Sequence, residues 1–320
     1  MQLVAPAPNA QNLPALADAA ARARACALDA RARATRKAYG ADIRHFEGWC
    51  RSKGLQAAPA SPEAVALYLA DHADALKPAT LQRRMSAISQ AHKTAGYSSP
   101  TADAKVRAVW KGICRQRGTA QAGKAALLPE TLRPIIDGLP DGLMGVRDRA
   151  LLLVGFFGGF RRSELVALDV ADVAFTREGL VITVRRSKTD QDGQGLAKAL
   201  PYMPNPDSCP VRALQGWLEA SGIAEGAVFR SINRHGVMGG RLSDRAVSLV
   251  VKRRATSAGI DAGNLSGHSL RAGFATAAAI GGASERAIMA QTGHRSLTVM
   301  RRYIRDANLF RENAAAAITM

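Results

Sequence analysis

"TRKAYGADIRHFEGWCRSKG", residues 35–54, decides the character of the first half of the chain by its spacing. Tyr39, Ile43, Phe46 and Trp49 recur at three- and four-residue steps, which lines them along one face of an α-helix. Thr35 is the expected cap and Gly54 the stop. The same period returns three times downstream. "SPEAVALYLADHADAL" (61–76) opens with Ser61, Pro62 and Glu63, a strong helix start. "KPATLQRRMSAISQAHKTAG" (77–96) turns Leu81, Met85 and Ile88 inward and leaves Arg83, Arg84 and Lys93 on other faces, and "DAKVRAVWKGICRQRG" (103–118) is the fourth. Four amphipathic helices joined by short loops predict a small helical bundle over 21–118. Residues 1–20, rich in Ala and Pro without a period, read as a flexible N-terminal arm.

Beyond the bundle, "GTAQAGKAALLPE" (118–130) is small and polar and ends at a proline, which predicts a linker over 119–128. Gly118, Gly123 and Lys124 approach the phosphate-cradling loop of nucleotide hydrolases, but Ala125 stands where Ser or Thr must hold magnesium and no strand precedes it. From 129 to 320 a second domain is expected. Its helices open with "LPETLRPIIDGL", "VRDRALLLVGFFGGF" and "RSELVAL"; then the period changes to two in "GLVITVRR" (179–186). "SKTDQDGQG" is a polar turn and "LAKALPYM" (196–203) the returning strand, so a β-hairpin interrupts a mainly α domain. Helices resume at 210–221, 243–258, 269–280, 284–292 and 296–310. The fold class is therefore mainly α with a small β-hairpin, in two domains.

Charge narrows the function. Across 320 residues, 44 lysines and arginines face 26 acids, a net +18 that points to a polyanion. The first 120 residues hold 18 basic and 8 acidic side chains, so no single tail carries the excess. Aromatic residues make up 5%, too sparse for stacking single strands, so duplex DNA gripped by its phosphates is the expected partner. The longest apolar run, "ALLLVGFFGGF", is too short to span a bilayer, and no secretory signal is visible at the N-terminus. Cysteines 26, 50, 114 and 209 form no CxxC pair and have no histidine at zinc spacing, which fits reduced thiols in the cytoplasm and no structural metal.

Three short stretches can carry chemistry. In "GGFRRSELVAL", Arg161 follows a Gly-Gly turn and Glu164 lies one helical turn on, spaced to hold the guanidinium still. In "GHSLRAGFATAAAIGG", His268 and Arg271 share one side of a helix start, where free N–H groups suit a phosphate. In "GHRSLTVMRRYI" (293–304), a helix capped by Ser284 ends at Gly293, placing His294 directly after it, and Ser296 caps the helix that carries Tyr303. Lys188 sits in the hairpin turn. Each of these, taken singly, also fits an ordinary surface or core residue.

Their order is what carries the resemblance. "GGFRRSEL", a hairpin lysine, "HSLR", "TGH" and "RRYI" in succession resemble the tyrosine recombinase (phage integrase) family, and the helices from "TRKAYGADIRHFEGWC" to "VRAVWKGICRQRG" are similar to its core-binding domain. The resemblance implies Arg161 and Arg271 on the scissile phosphate, His268 and His294 as hydrogen-bond donors and proton handlers, and Lys188 as the acid on the leaving 5′ oxygen. It further implies Tyr303 as nucleophile, Glu164 in support, and Ala272 at a non-catalytic position where many members carry His. It implies a site-specific DNA recombinase working through a phosphotyrosine intermediate and a Holliday junction without metal, ATP, other cofactor or small-molecule substrate, as a homotetramer on paired sites. The C-terminal "NLFRENAAAAITM" would dock on a neighbour.

That chemistry suits the residues. Attack by a phenolate gathers negative charge on two phosphate oxygens, which bidentate arginines can stabilise, and the same cations favour phenolate over phenol. The missing nucleotide loop accords with bond energy stored in a tyrosyl ester, and no clustered Asp and Glu set is spaced for a two-metal nuclease. Two basic domains are expected to clamp the duplex, with Arg83, Arg84 and Lys93 as contacts from the bundle. A type IB topoisomerase-like nicking and rejoining enzyme, or a non-catalytic DNA-binding protein of the same fold, are the alternatives.

Overall fold

A computed structural model describes residues 13–120, 123–185, 195–298, 300, 301 and 303. The chain forms two compact units, 1–122 and 123–320. Five helices make up the described part of the first: α1 (Leu13–Asp29), α2 (Arg33–Ser52), α3 (Pro62–Asp71), α4 (Pro78–Thr94) and α5 (Ala104–Arg117). Their starts are written locally. Ser61 accepts the amide of Ala64 at 3.1 Å with Pro62 at the first helical position, and Asp103 accepts the amide of Lys105 at 2.8 Å. Phe46, Val65, Tyr68, Leu69, Leu81, Ile88 and Val106 interlock as the core, with α2 packed on α4 and α3 on α5.

Three expectations need correction in this unit. Helix α1 covers 13–20, which the sequence assigned to a flexible arm; its alanines and leucines are strong helix formers whatever their periodicity. Helix α2 starts at Arg33 after Ala32, so Thr35 lies inside its first turn and caps nothing. Arg84 does not face outward: it is one turn from Leu81 and Ile88 on the inner face, donates to the Tyr68 hydroxyl at 2.7 Å and lies 3.7 Å from the buried carboxylate of Asp42. A buried arginine is tolerated when its charge is met: Asp42 balances it, and Tyr68 and His45 lie against Nη1, while Nε is buried without a hydrogen-bond partner among the described residues. Arg83 is half exposed and makes a two-pronged contact with Asp42 at 2.8 and 3.0 Å, while Lys93 is exposed.

The second unit runs α6 (Pro129–Asp137), α7 (Leu143–Phe157), α8 (Arg162–Ala167), β1 (Val173–Phe175), β2 (Gly179–Val184), β3 (Leu196–Pro201), α9 (Pro210–Ser221), β4 (Arg230–Ile232), β5 (Met238–Arg241), α10 (Asp244–Ser257), α11 (Gly267–Ile280) and α12 (Glu285–Thr292). Leu297, Thr298, Met300, Arg301 and Tyr303 are helical as well. Helix α7 buries Ala150, Leu151, Leu152, Leu153 and Val154 in succession, so its second half is apolar all round and central, flanked by α9 and α11. Strands β2 and β3 pair antiparallel from Gly179 opposite Pro201 to Val184 opposite Leu196. The expected hairpin is thus present, and its turn, with Lys188, lies outside the described residues.

Strand β1 adds a third member beside β2, and β4 and β5 form a second small sheet; neither was expected. Both are short, and β5 is Gly-Gly-rich, so period-two patterning had too few residues to show. Residues 123–128, expected within a free linker, pack on this unit instead: Leu127 is wholly buried and donates its amide to Ser269, and Ala125 donates to Asn264. Among the described residues no helix is long and apolar enough to cross a membrane.

Candidate active site

The site is built where three chain turns meet. Helix α7 ends at Gly158, and Gly159, at φ +54°, reverses the chain in a left-handed conformation that a side chain would resist. Phe160 then dives into the core, leaving Arg161 as the residue that opens α8. Glu164 fixes it twice, accepting the Arg161 amide at 3.0 Å and a guanidinium N–H at 2.5 Å. Because Glu164 is itself buried, this pair is rigid in a way an exposed pair of the same spacing is not.

Helix α11 supplies the next two groups. Ser266 and Ser269 exchange side-chain-to-amide contacts at its start, accepting from His268 and Ser266 at 3.2 and 3.0 Å. That cap sets His268, and Arg271 follows one turn on. Arg271 is 1% exposed; its Nη1 donates to the carbonyls of Gly159, at 2.8 Å, and Thr292, and its Nη2 is buried with no partner among the described residues. Burial, then the positive field of Arg161, draws its pKa down to about 10.

Helix α12 ends at Gly293 in a left-handed cap, φ 68° and ψ 35°, whose amide donates to Met289 at 2.7 Å. Both arginines hold this end: Arg271 through Thr292, and Arg161 through the Gly293 carbonyl at 3.4 Å. Cations at a helix C-terminus also complement its dipole. His294 therefore starts from an anchored point. Its Nδ1 lies 2.8 Å from the Thr292 hydroxyl, and that hydroxyl spends its proton on the Ile288 carbonyl at 2.7 Å. The imidazole must then carry its proton on Nδ1, which leaves Nε2 with a free lone pair. Burial first, then Arg271, Arg161, His268 and Lys198, brings its pKa down to about 3.

Tyr303 closes the site. Its ring packs with Ala275, Ile288 and Met300, 6.0 Å from the His294 ring, and its hydroxyl lies 3.1 Å from His268 Nε2. His268 keeps part of its ring open to solvent, yet desolvation by the surrounding protein, then Arg271, Arg161 and Arg162, holds its pKa below the ordinary value. Arg161, Glu164, His268, Arg271, His294 and Tyr303 thus share one region, while Arg83, Arg84 and Lys93 belong to the other unit.

Lys198 was missed. It lies on β3 opposite Ile182, is 1% exposed, donates to the Gly158 carbonyl at 2.7 Å and sits 4.3 Å over the Phe160 ring. Burial, opposed by Glu164 and assisted by Arg271 and Arg161, brings its amine to about 7. Strand alternation could have found it, since Leu196, Lys198 and Leu200 share the inward face. Among the described residues no group of three His, Cys, Asp or Glu is placed to hold a metal ion. Converging guanidiniums, imidazoles and a phenol can bind the oxygens of a phosphodiester and move a proton beside it.

Comparison with known proteins agrees with this chemistry. Residues 125–309 match the phage integrase family and residues 28–95 its N-terminal SAM-like domain. An integrase/recombinase xerD homolog of Selenomonas ruminantium is 44% identical over 285 residues, covering 88% of this chain and 84% of its own. Among solved structures, the Tn1549 transposon integrase in complex with transposon right end DNA aligns at a TM-score of 0.62 and 17% identity over 85% of this chain and 89% of its own. The XerH site-specific recombinase, solved in a post-cleavage complex, aligns at 0.57 and 17% identity over 80% and 72%. With its site motifs inside a family match that spans most of the second unit, the chain belongs to the phage integrase family of tyrosine recombinases.

Proposed function

We propose that this recombinase cuts and rejoins duplex DNA at specific sites with Tyr303 as nucleophile. The Tyr303 oxygen bonds to the scissile phosphorus, the bond from phosphorus to the 5′ oxygen breaks, and a 3′-phosphotyrosine and a free 5′-hydroxyl result. The phenolic proton passes to His268, whose depressed pKa leaves it neutral and able to accept. Arg161, held by Glu164, and Arg271, whose Nη2 has no partner among the described residues, stabilise the non-bridging oxygens. His294, neutral with its proton on Nδ1, keeps Nε2 as an acceptor, where a hydrogen-bond donor was expected, and Lys188 is assigned the proton that the 5′ oxygen takes up.

Rejoining reverses these steps with a 5′-hydroxyl from a second duplex, so two rounds of exchange pass through a Holliday junction. Four copies on paired sites supply the four tyrosines. The net charge of +18 supports duplex DNA as substrate, with Arg83 and Lys93 as contacts from the first unit, and free thiols suit a cytoplasmic, nucleoid-associated setting. We divide the chain into an N-terminal segment, a core-binding domain to 118 and a catalytic domain from 129, the segment between them partly docked on the latter.

The observation that carries this function is the 3.1 Å contact between Tyr303 and His268, one turn from an arginine with a buried N–H that has no partner among the described residues. Incubation with a nicked duplex that traps the intermediate tests it. A covalent adduct mapped by peptide mass spectrometry to Tyr303 is expected; attachment at another residue refutes the assignment. Recombinant products from DNA carrying two sites distinguish exchange from simple nicking and rejoining.

A further inference from the structure

Among the described residues, Lys198 is the one buried cation near the site that the proposed chemistry leaves without a task, and its surroundings suggest one. Two successive carbonyls of the turn that follows α7 are taken by cations: Gly158 by Lys198 at 2.7 Å, and Gly159 by Arg271 at 2.8 Å. The next residue, Phe160, lies under the Lys198 ammonium, and the one after it is Arg161. Gln291 adds a brace, donating to the carbonyls of Phe157 at 3.1 Å and of Ala199, beside Lys198, at 3.2 Å.

We propose that Lys198 is a positioning residue for strand cleavage: from β3 it grips the turn at Gly158 and Phe160, and thereby sets the distance between Arg161 and Arg271. This rests on the assignment of those arginines to the phosphate. The geometry favours this over a purely structural role. Burying an ammonium is expensive, and a leucine at an inward position of β3 would fill the core at less cost. The charged groups facing Lys198 are Glu164 and Arg161 from the start of α8, Arg271 from α11 and His294 after α12, all members of the site. Its lowered pKa reflects the same crowding. Without Lys198 the buried Gly158 carbonyl loses its ammonium donor, and the turn is free to relax. Displacing a guanidinium by about 1 Å from a phosphate can slow a reaction by roughly 100-fold.

The test is single-turnover adduct formation on the nicked duplex by the full chain. Lys198→Met keeps the length and removes the donor; Lys198→Gln keeps an N–H donor without the charge. A positioning role lowers the rate constant about 10- to 100-fold in Lys198→Met at full amplitude and with unchanged duplex affinity, with Lys198→Gln in between. A structural role lowers the amplitude and the melting temperature but leaves the rate constant of the surviving molecules at the wild-type value. Rate constants within twofold of wild type in both variants overturn the proposal. If Lys198→Met does not fold, a wild-type rate constant in Lys198→Gln overturns it alone. Tyr303→Phe, run alongside, reads the parent assignment separately: an adduct from that variant removes both readings, whereas its loss beside unchanged Lys198 variants removes only the lysine's role.

Discussion

Each unit of this protein buries an arginine beside a tyrosine, and the two arrangements differ in their accounts of charge. In the first unit Arg84 donates to Tyr68 at 2.7 Å, His45 lies 3.0 Å from the same hydroxyl, and the buried Asp42 faces Arg84 and bonds Arg83. Burial pushes the Tyr68 phenol above its ordinary pKa. Phe46 and Trp49 pack edge-on to the Tyr68 ring. In the second unit Arg161, Arg271 and Lys198 share one carboxylate, Glu164; a buried N–H without a partner among the described residues occurs in both arginines, Nε of Arg84 and Nη2 of Arg271, so the difference lies in the count of cations against carboxylates. Compensated charge holds a core together; an uncompensated excess of cations awaits an anion. Residue type does not distinguish the two tyrosines, but the local charge balance does.

The largest effect expected is at the tyrosines. Tyr303→Phe abolishes the covalent adduct and leaves duplex affinity nearly intact, whereas Tyr68→Phe cleaves normally and lowers unfolding free energy by about 1–3 kcal/mol through the lost buried hydrogen bond. Adduct assays and denaturant titrations on both variants check this, and a cleavage-competent Tyr303→Phe would erase the contrast.

Next come the arginines. Replacing Arg161 or Arg271 by Lys, which cannot reproduce a fork of donors, lowers the cleavage rate by roughly 100- to 1000-fold with modest loss of binding. Arg84→Met instead leaves the cleavage rate constant alone and destabilises the first unit. Glu164→Gln keeps its shape but weakens the hold on Arg161, and a loss of about tenfold in rate is expected in single-turnover assays.

Proton linkage gives smaller effects of opposite location on the pH scale. His294 is held to about 3 in the fold against 6.5 when unfolded, so the unfolded chain binds more protons between those values and stability falls as pH drops from 6.5 toward 3. His294→Gln should flatten that acid limb in melting curves. Lys198, at about 7 against 10.5, works in the upper range: wild-type stability rises with pH from 7 to 10.5, so its melting temperature should gain on that of Lys198→Met across that window. Parallel curves would show that the amine is not desolvated.

What the sequence determined by itself was whatever a local pattern can encode. The 3.6-residue period of 35–54, the helix starts at Ser61 and Ser284, the glycine stop at Gly293 and the period-two stretch at 179–184 each act within a few residues, and the ordered motifs around Arg161, His268 and Tyr303 identified the family. Tertiary structure alone decided the fate of charges. Arg84 and Arg161 are both arginines on helices, yet Asp42 and Tyr68 arrive beside the first and Gly293 beside the second from far along the chain. Likewise Lys198 is an ordinary lysine until β3 pairs with β2 and α7 ends against it. Desolvation and Coulomb fields depend on distance in space rather than in sequence, which is why the helices were legible and the electrostatics of the site were not.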